Sequence, residues 1–198
     1  VLGVPEGPYL EKAAPEGREN FELACERLAA GGYEVRRLSV MPDYEDICVR
    51  HHLIVAAEAA QVHAGWFSRY ESRYHEKTAE MVLRGMRVGR EELESALPGQ
   101  EKLRHQLLSR MADMGIDMWI APSATGAAPA GLDSTGDPVM NLPWTHCGLP
   151  ALSLFSGKNK DGLPFGIQLI GRWHNDEAVL AWARGIEKFL GLDSGRSH

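Results

Sequence analysis

Apolar residues recur along the chain in two rhythms, one of strands and one of helices, and the two alternate. Val1 to Val4 is a short apolar run, read as a buried strand closed by a loop of Pro5, Gly7 and Pro8. From Pro15 to Ala30, Phe21, Leu23, Ala24, Cys25, Leu28 and Ala29 fall at helical spacing. Pro15 suits the first turn of that helix, and Gly31-Gly32 its end. Val35, Leu38 and Val40 then mark a strand within Tyr33 to Val40, so this opening stretch predicts a β-α-β unit with parallel strands. Tyr44 to about Tyr74 carries no proline and reads as helix, with punctuation from Gly85 to Gly89. Pro98 and Gly99 separate Arg90 to Leu97 from a helix over about Gln100 to Met114. Leu103, Leu107, Leu108 and Met111 form its apolar face, and Gly115 ends it.

Met118 to Ala121 reads as a buried strand, and Pro122 to Pro143 as a stretch rich in Pro, Gly, Ser and Ala. Ala151 to Phe155 and Phe165 to Ile170 are two more strands, joined by a hairpin signal at Asn159-Lys160-Asp161-Gly162. Asn175 is placed to cap a last helix with Asp176 and Glu177 in its first turn and Lys188 in its last. Its expected apolar face is Ala178, Leu180, Ala181, Ile186 and Leu190. Mixed strands and helices imply the α/β class, a mixed β-sheet flanked by helices.

With 198 residues, 44% hydrophobic and 24% charged, the chain has the balance of a soluble globular protein of one domain. The formal net charge of -6 and the lack of a basic stripe argue against nucleic acid as a partner. No apolar run approaches a membrane span, since Glu58 and His63 interrupt even Ile54 to Gly65. Cys25, Cys48 and Cys147 are widely spaced and odd in number, which fits a reducing, cytoplasmic compartment better than a disulfide framework.

His51-His52 and His63 lack the spacing of a metal site, and no metal is expected. His146 and Cys147 are neighbours in the chain and so do not face each other as a nucleophile pair does; Cys147 reads as a free thiol, buried or half-buried. There is no GxSxG, P-loop or GxGxxG, so neither a nucleophile elbow nor a nucleotide cofactor is signalled, and no cofactor is expected. The most informative stretch is Asp133 to Pro150, where a polar Gly-Pro turn leads into a short amphipathic segment and then a strand. That order suits a loop held rigidly over a pocket, or an ordinary capped turn with Trp144 packed on the sheet.

A set of short motifs adds a resemblance. Asp117-Met118-Trp119-Ile120-Ala121-Pro122 is followed by Thr135-Gly136-Asp137-Pro138, Asn141, Pro143-Trp144-Thr145 and Gly148-Leu149-Pro150-Ala151. Asp161-Gly162-Leu163-Pro164 and Gly166-Ile167-Gln168-Leu169-Ile170-Gly171 complete it. In order and spacing, over about the last eighty residues, these resemble the carboxy-terminal part of the amidase signature family. Leu2-Gly3-Val4-Pro5 and the first β-α-β unit are similar to the segment after that family's catalytic core.

The resemblance implies hydrolysis of carboxamide C–N bonds by a serine nucleophile, a second serine in a cis peptide and a lysine. It also implies a Gly-Gly-Ser-Ser-Gly type run, with the lysine upstream of it. The chain has no such run, and its one Gly-Gly pair, Gly31-Gly32, is followed by Tyr33, so no catalytic residue is carried over. Residues 1–198 are therefore expected to be the carboxy-terminal portion of an amidase domain, a single incomplete domain inactive alone. It would contribute part of a sheet and one wall of a cleft for a small-molecule amide.

The strands at Val1, Met118, Ala151 and Phe165 are expected inside a larger sheet, so that the chain associates with an amino-terminal amidase portion or with itself. The resemblance places Thr135, Asp137, Met140, Asn141 and Trp144 on the substrate wall. The rival expectation is a non-catalytic binding or scaffolding module that has kept this fold.

Overall fold

A computed structural model describes residues 1–190. Five strands form one mixed sheet: β1 (Leu2–Glu6), β2 (Val35–Ser39), β3 (Met118–Pro122), β4 (Ala151–Lys158) and β5 (Pro164–Ile170), in the order β2-β1-β3-β5-β4. β1 runs parallel to both β2 and β3, whereas β5 is antiparallel to β3 and to β4. The predicted β-α-β unit is present, with α1 (Pro15–Ala30) between β1 and β2. α2 (Tyr44–Tyr70), α3 (Glu76–Gly85), α4 (Arg90–Ala96) and α5 (Pro98–Asp113) follow. α6 (Leu142–Cys147) precedes β4, and α7 (Asp176–Ile186) follows β5. All of β3 and nearly all of β5 are buried, as an inner strand covered on both faces requires.

Three local expectations change. Pro5 lies inside β1 and does not close it. Leu2 N donates to Glu34 O and Val40 N to Glu6 O, so the even positions of β1 bond to β2 and Pro5 faces the β3 side. Pairing with β3 has already ended at Gly3, so the missing N–H of Pro5 costs no ladder bond. The long helix stops at Tyr70, with a 3-10 turn at Glu71–Arg73 before α3. The expected face of the last helix holds only at its end: Ile186 and Leu190 are buried, but earlier Val179 and Ala183 turn inward, while Leu180 is 57% exposed and Ala181 is also exposed. Asn175 sits at its N-cap position but makes no side-chain cap bond.

The hairpin forms as predicted. Asn159 Oδ1 accepts from the backbone N of Asp161 and of Leu163 at 3.0 and 2.9 Å, which closes the turn. The β4–β5 register shifts between Phe155 and Gly157. Ser156, at that irregularity, is buried and donates from Oγ to Asn20 Oδ1 at 2.5 Å, fastening β4 to α1. β4 is an edge of the sheet among the described residues, with Ala151 and Ser153 exposed and Leu152 and Leu154 half-buried.

One contact matters for the site. Ala14 N donates to Thr125 O at 2.7 Å, and a Cβ at Gly17 would stand 2.4 Å from that same carbonyl. Only a glycine lets the first turn of α1 lie against this loop, where Ala127 N also donates to Glu16 Oε1 at 3.3 Å.

Candidate functional site

The stretch after β3 is not a bare loop. Asp137 Oδ1 accepts from Val139 N at 2.9 Å and caps a 3-10 turn, Pro138–Met140, after which Pro143 takes an early position in α6. α6 ends at Gly148, whose φ of +69° is the left-handed conformation that stops a helix. These two turns are fixed to the sheet by a buried cluster of polar groups.

At the centre of that cluster is the Tyr9 hydroxyl. It donates to Met140 O at 2.9 Å and accepts from Trp144 Nε1 at 3.0 Å. Gln168, in the middle of β5, donates from Nε2 to Met140 O at 2.7 Å and to Pro122 O at 2.8 Å. Tyr44, at the start of α2, donates to Val139 O at 2.7 Å. The rings of Tyr9 and Trp144 meet edge to face at 5.5 Å, and those of Tyr9 and Tyr44 at 5.6 Å. Burial pushes the Tyr9 and Tyr44 hydroxyls well above their ordinary range, so both stay protonated and can donate.

The five residues expected on a substrate wall divide into two sets. Met140 and Trp144 are buried, Trp144 to 1% exposure, and take part in this cluster. Thr135, Asp137 and Asn141 are exposed on the outer side of the same segment, where Asn141 Nδ2 donates to Ser123 O at 3.2 Å. Asn141 and Trp144 line a pocket of about 560 Å3, together with Thr145, Gln168, Trp173 and His174. Thr135, Asp137 and Met140 lie outside it. Gln168 Oε1 has no hydrogen-bond partner, so a buried acceptor stands at a pocket wall.

Sequence reasoning quoted Gln168 within a motif and gave it no role, and it did not single out Tyr9. The signal for Gln168 is a polar side chain within an apolar strand, since such a residue is buried only where it finds partners. Nothing local marks Tyr9, which meets its partners from the opposite end of the chain.

The other candidates separate. His63 Nδ1 lies 2.8 Å from Tyr74 Oη, and among the described residues no three His, Cys, Asp or Glu side chains gather as metal ligands. Cys147, the last residue of α6, is buried, and burial pushes its thiol up to about 11, away from the thiolate a nucleophile needs. Among the described residues, the one serine hydroxyl bonded to a titratable side chain is Ser109, exposed on α5 and 3.4 Å from Asp113 Oδ2. No helix among them is long and apolar enough to cross a membrane. A cavity of about 720 Å3 between the end of β2 and α5 contains none of the expected site residues.

Comparison with known proteins fits this geometry. A family model described as Amidase matches residues 1–180. The chain is 25% identical to a glutamyl-tRNA(Gln) amidotransferase subunit from Bartonella henselae, over 98% of its own length and 45% of the relative's. It is 26% identical to the protein of the same name from Granulibacter bethesdensis, over 94% and 43%. Among solved structures, one titled as an amidase superposes with a TM-score of 0.84 at 27% identity, covering 96% of this chain and 45% of that one. Fatty acid amide hydrolase shares the fold with a TM-score of 0.79 at 17% identity, over 97% of this chain and 40% of its own. The chain thus spans less than half the length of the curated relatives it matches over its whole extent.

Proposed function

The chain belongs to the amidase family, and on that premise we propose that it forms one wall of the substrate cleft of an enzyme that hydrolyses carboxamide C–N bonds. The observation that carries this reading is the buried cluster beneath Met140 and Trp144. It anchors one face of the 137–144 segment to β5, while Asp137 and Asn141, with Thr135 just before them, are exposed. A rigid support under outward-facing polar groups orients a bound molecule without reorganisation. Thr135 offers a hydroxyl, Asp137 a carboxylate and Asn141 an amide, while Trp144 and Gln168 close the inner wall of the neighbouring pocket. The free Gln168 Oε1 suits an N–H donor, the group a carboxamide carries.

Bond breaking needs a nucleophile with a positioned base and donors for the oxyanion, and no serine among the described residues has that setting. The serines and lysine of the family mechanism are therefore assigned to a portion of the enzyme outside these 198 residues. That portion is amino-terminal in the family order, and among the described residues the sheet has two edges, β2 and β4, at which further strands can pair. Residues 1–198 then make up the carboxy-terminal part of one amidase domain.

A fluorophosphonate probe tests the assignment. The chain alone should neither be labelled nor hydrolyse simple amides. Supplied with the amino-terminal portion, the pair should hydrolyse amides and carry the label on a serine of that portion. Labelling of a serine in residues 1–198 would overturn the reading. A pair that assembles but neither labels nor hydrolyses would favour the non-catalytic module instead.

A further inference from the structure

The two edges of the sheet are built differently. β2 reads Val35-Arg36-Arg37-Leu38-Ser39, and both arginines are engaged, Arg37 with Glu6 and Glu22, Arg36 with Glu34 and with Met114 O. Charges held along an edge keep another strand away. β4 reads Ala151-Leu152-Ser153-Leu154-Phe155-Ser156-Gly157-Lys158 and carries no charge before its last residue. Its large apolar side chains, Leu152, Leu154 and Phe155, are only half-buried.

The register fixes which backbone groups β4 leaves open. Gly171 N donates to Pro150 O at 3.0 Å, and Leu152 pairs with Leu169 and Leu154 with Ile167, so these are the positions that exchange hydrogen bonds with β5. The N–H and C=O of Ala151, Ser153 and Phe155 therefore point away from β5, and among the described residues no strand lies beyond them. Ser153 stands opposite Gln168, so its side chain shares the face that carries the buried cluster. Ala151 and Gln168 both line the 560 Å3 pocket.

We propose that the 151–155 edge of β4 pairs with an extended strand of the amino-terminal portion of the amidase, while the β2 edge stays unpaired. This rests on the cleft-wall reading above and adds where the two portions join. The occupant follows from how much of the matched fold the chain supplies: 96% of it superposes on the amidase structure, yet it covers only 45% of that chain. A strand added at β4 arrives beside Ala151 and Gln168, whereas one added at β2 has β2, β1 and β3 between it and β5. Each of the three outward residues offers it one donor and one acceptor, and its side chains cover the bare flanks of Leu152 and Leu154.

The test is association of the chain with the polypeptide that carries the Gly-Gly-Ser-Ser-Gly run and its upstream lysine, measured by calorimetry and by amide hydrogen exchange. In the pair, exchange at Ala151, Ser153 and Phe155 should slow at least about tenfold, with no change along β2. Ser153→Pro removes one outward N–H and no bond to β5. It should keep the unfolding midpoint of the chain alone and weaken association at least about tenfold. Ala151→Pro acts in the same way and serves if Ser153→Pro does not fold. Val40 N donates to Glu6 O, so Ser39 is an outward position of β2, and Ser39→Pro should leave association unchanged. Undiminished association in the β4 variants would overturn the proposal, as would loss in Ser39→Pro, no association of the parent chain, or the same protection of β4 in the chain alone through self-pairing. Amide hydrolysis is scored separately. A pair that joins at β4 without hydrolysing overturns the cleft-wall reading and not the edge, and a pair that hydrolyses with Ser153→Pro fully associated overturns the edge and not the reading.

Discussion

Trp144 and His146 stand two residues apart on the same short helix and are almost equally buried, yet their polar atoms fare in opposite ways. The Trp144 indole N–H is bonded to Tyr9, and through it to Met140 O and the strand β5. Both His146 nitrogens are unpartnered. The difference follows from what each side of α6 faces. On one side the partners come from the start of the chain and from β5, whose position the ladder with β3 fixes. On the other side α6 meets the side chains of two helices, which fill space without being set by a backbone ladder. Satisfied burial makes one face a rigid support, whereas unsatisfied burial leaves on the other a group whose protonation competes with folding.

The largest expected effect breaks the satisfied side outright. Trp144→Ala leaves a cavity under the segment and should cost about 3–5 kcal/mol, read as a lower urea midpoint. In the enzyme assembled with its amino-terminal portion, the same variant should change the relative kcat/KM among amides of different side-chain size by more than about tenfold, or about 1.4 kcal/mol. A large loss of stability with an unchanged substrate ranking would make Trp144 a support only. Next in size is Tyr9→Phe, which keeps the ring and removes the hydroxyl. Trp144 Nε1 then loses its buried acceptor, and the expected cost is about 1–3 kcal/mol. A change below about 0.5 kcal/mol would mean that water replaces the hydroxyl, and that the two sides of α6 differ less than their contacts suggest.

How legible this contrast was depends on the distance over which each feature is built. Strands and helices came through where a local rhythm or a turn residue decides them, as at Pro15 to Ala30 or Asn159 to Gly162. The face of the last helix came through only at Ile186 and Leu190. Leu180 and Val179 are adjacent and both apolar, and only the sheet beneath selects Val179. The extent of β1 was misjudged for a similar reason, because Pro5 is harmless only where the neighbouring strand has already ended. The five residues proposed for a substrate wall were reached through resemblance, and their division into buried and exposed sets was invisible. Trp144 is buried by a tyrosine 135 residues away, a pairing no local pattern records.

The unsatisfied side predicts a response to acid. His146 has a folded-state value of about 4 against an ordinary 6.5, so below pH 6.5 the unfolded chain binds more protons than the folded one. Its share of stability is thus intact above pH 6.5 and is lost as pH falls toward 4. The loss between pH 6.5 and 5.5 is about 1 kcal/mol, and His51, also lowered by burial, acts in the same direction. Urea unfolding across this range should show the slope in the parent chain and a smaller one in His146→Gln. Equal slopes would place the acid sensitivity elsewhere.

The smallest effect on stability gives the sharpest separation of support from contact. Asp137 has two roles in this reading: its carboxylate caps the 3-10 turn through Val139 N, and its charge faces outward for substrate. Asn is about as good a cap as Asp, because its side-chain carbonyl accepts the same backbone hydrogen bond. Asp137→Asn should therefore shift the unfolding free energy by less than about 0.5 kcal/mol. Should the charge contact the amide substrate, kcat/KM of the assembled enzyme falls at least about tenfold in the same variant, a loss of about 1.4 kcal/mol in transition-state binding. Asp137→Ala removes cap and charge together and should cost about 1 kcal/mol more in stability than Asp137→Asn. If the Asn variant keeps full activity while the Ala variant loses it, Asp137 only shapes the turn, and Thr135 and Asn141 are left as the polar groups that meet the substrate.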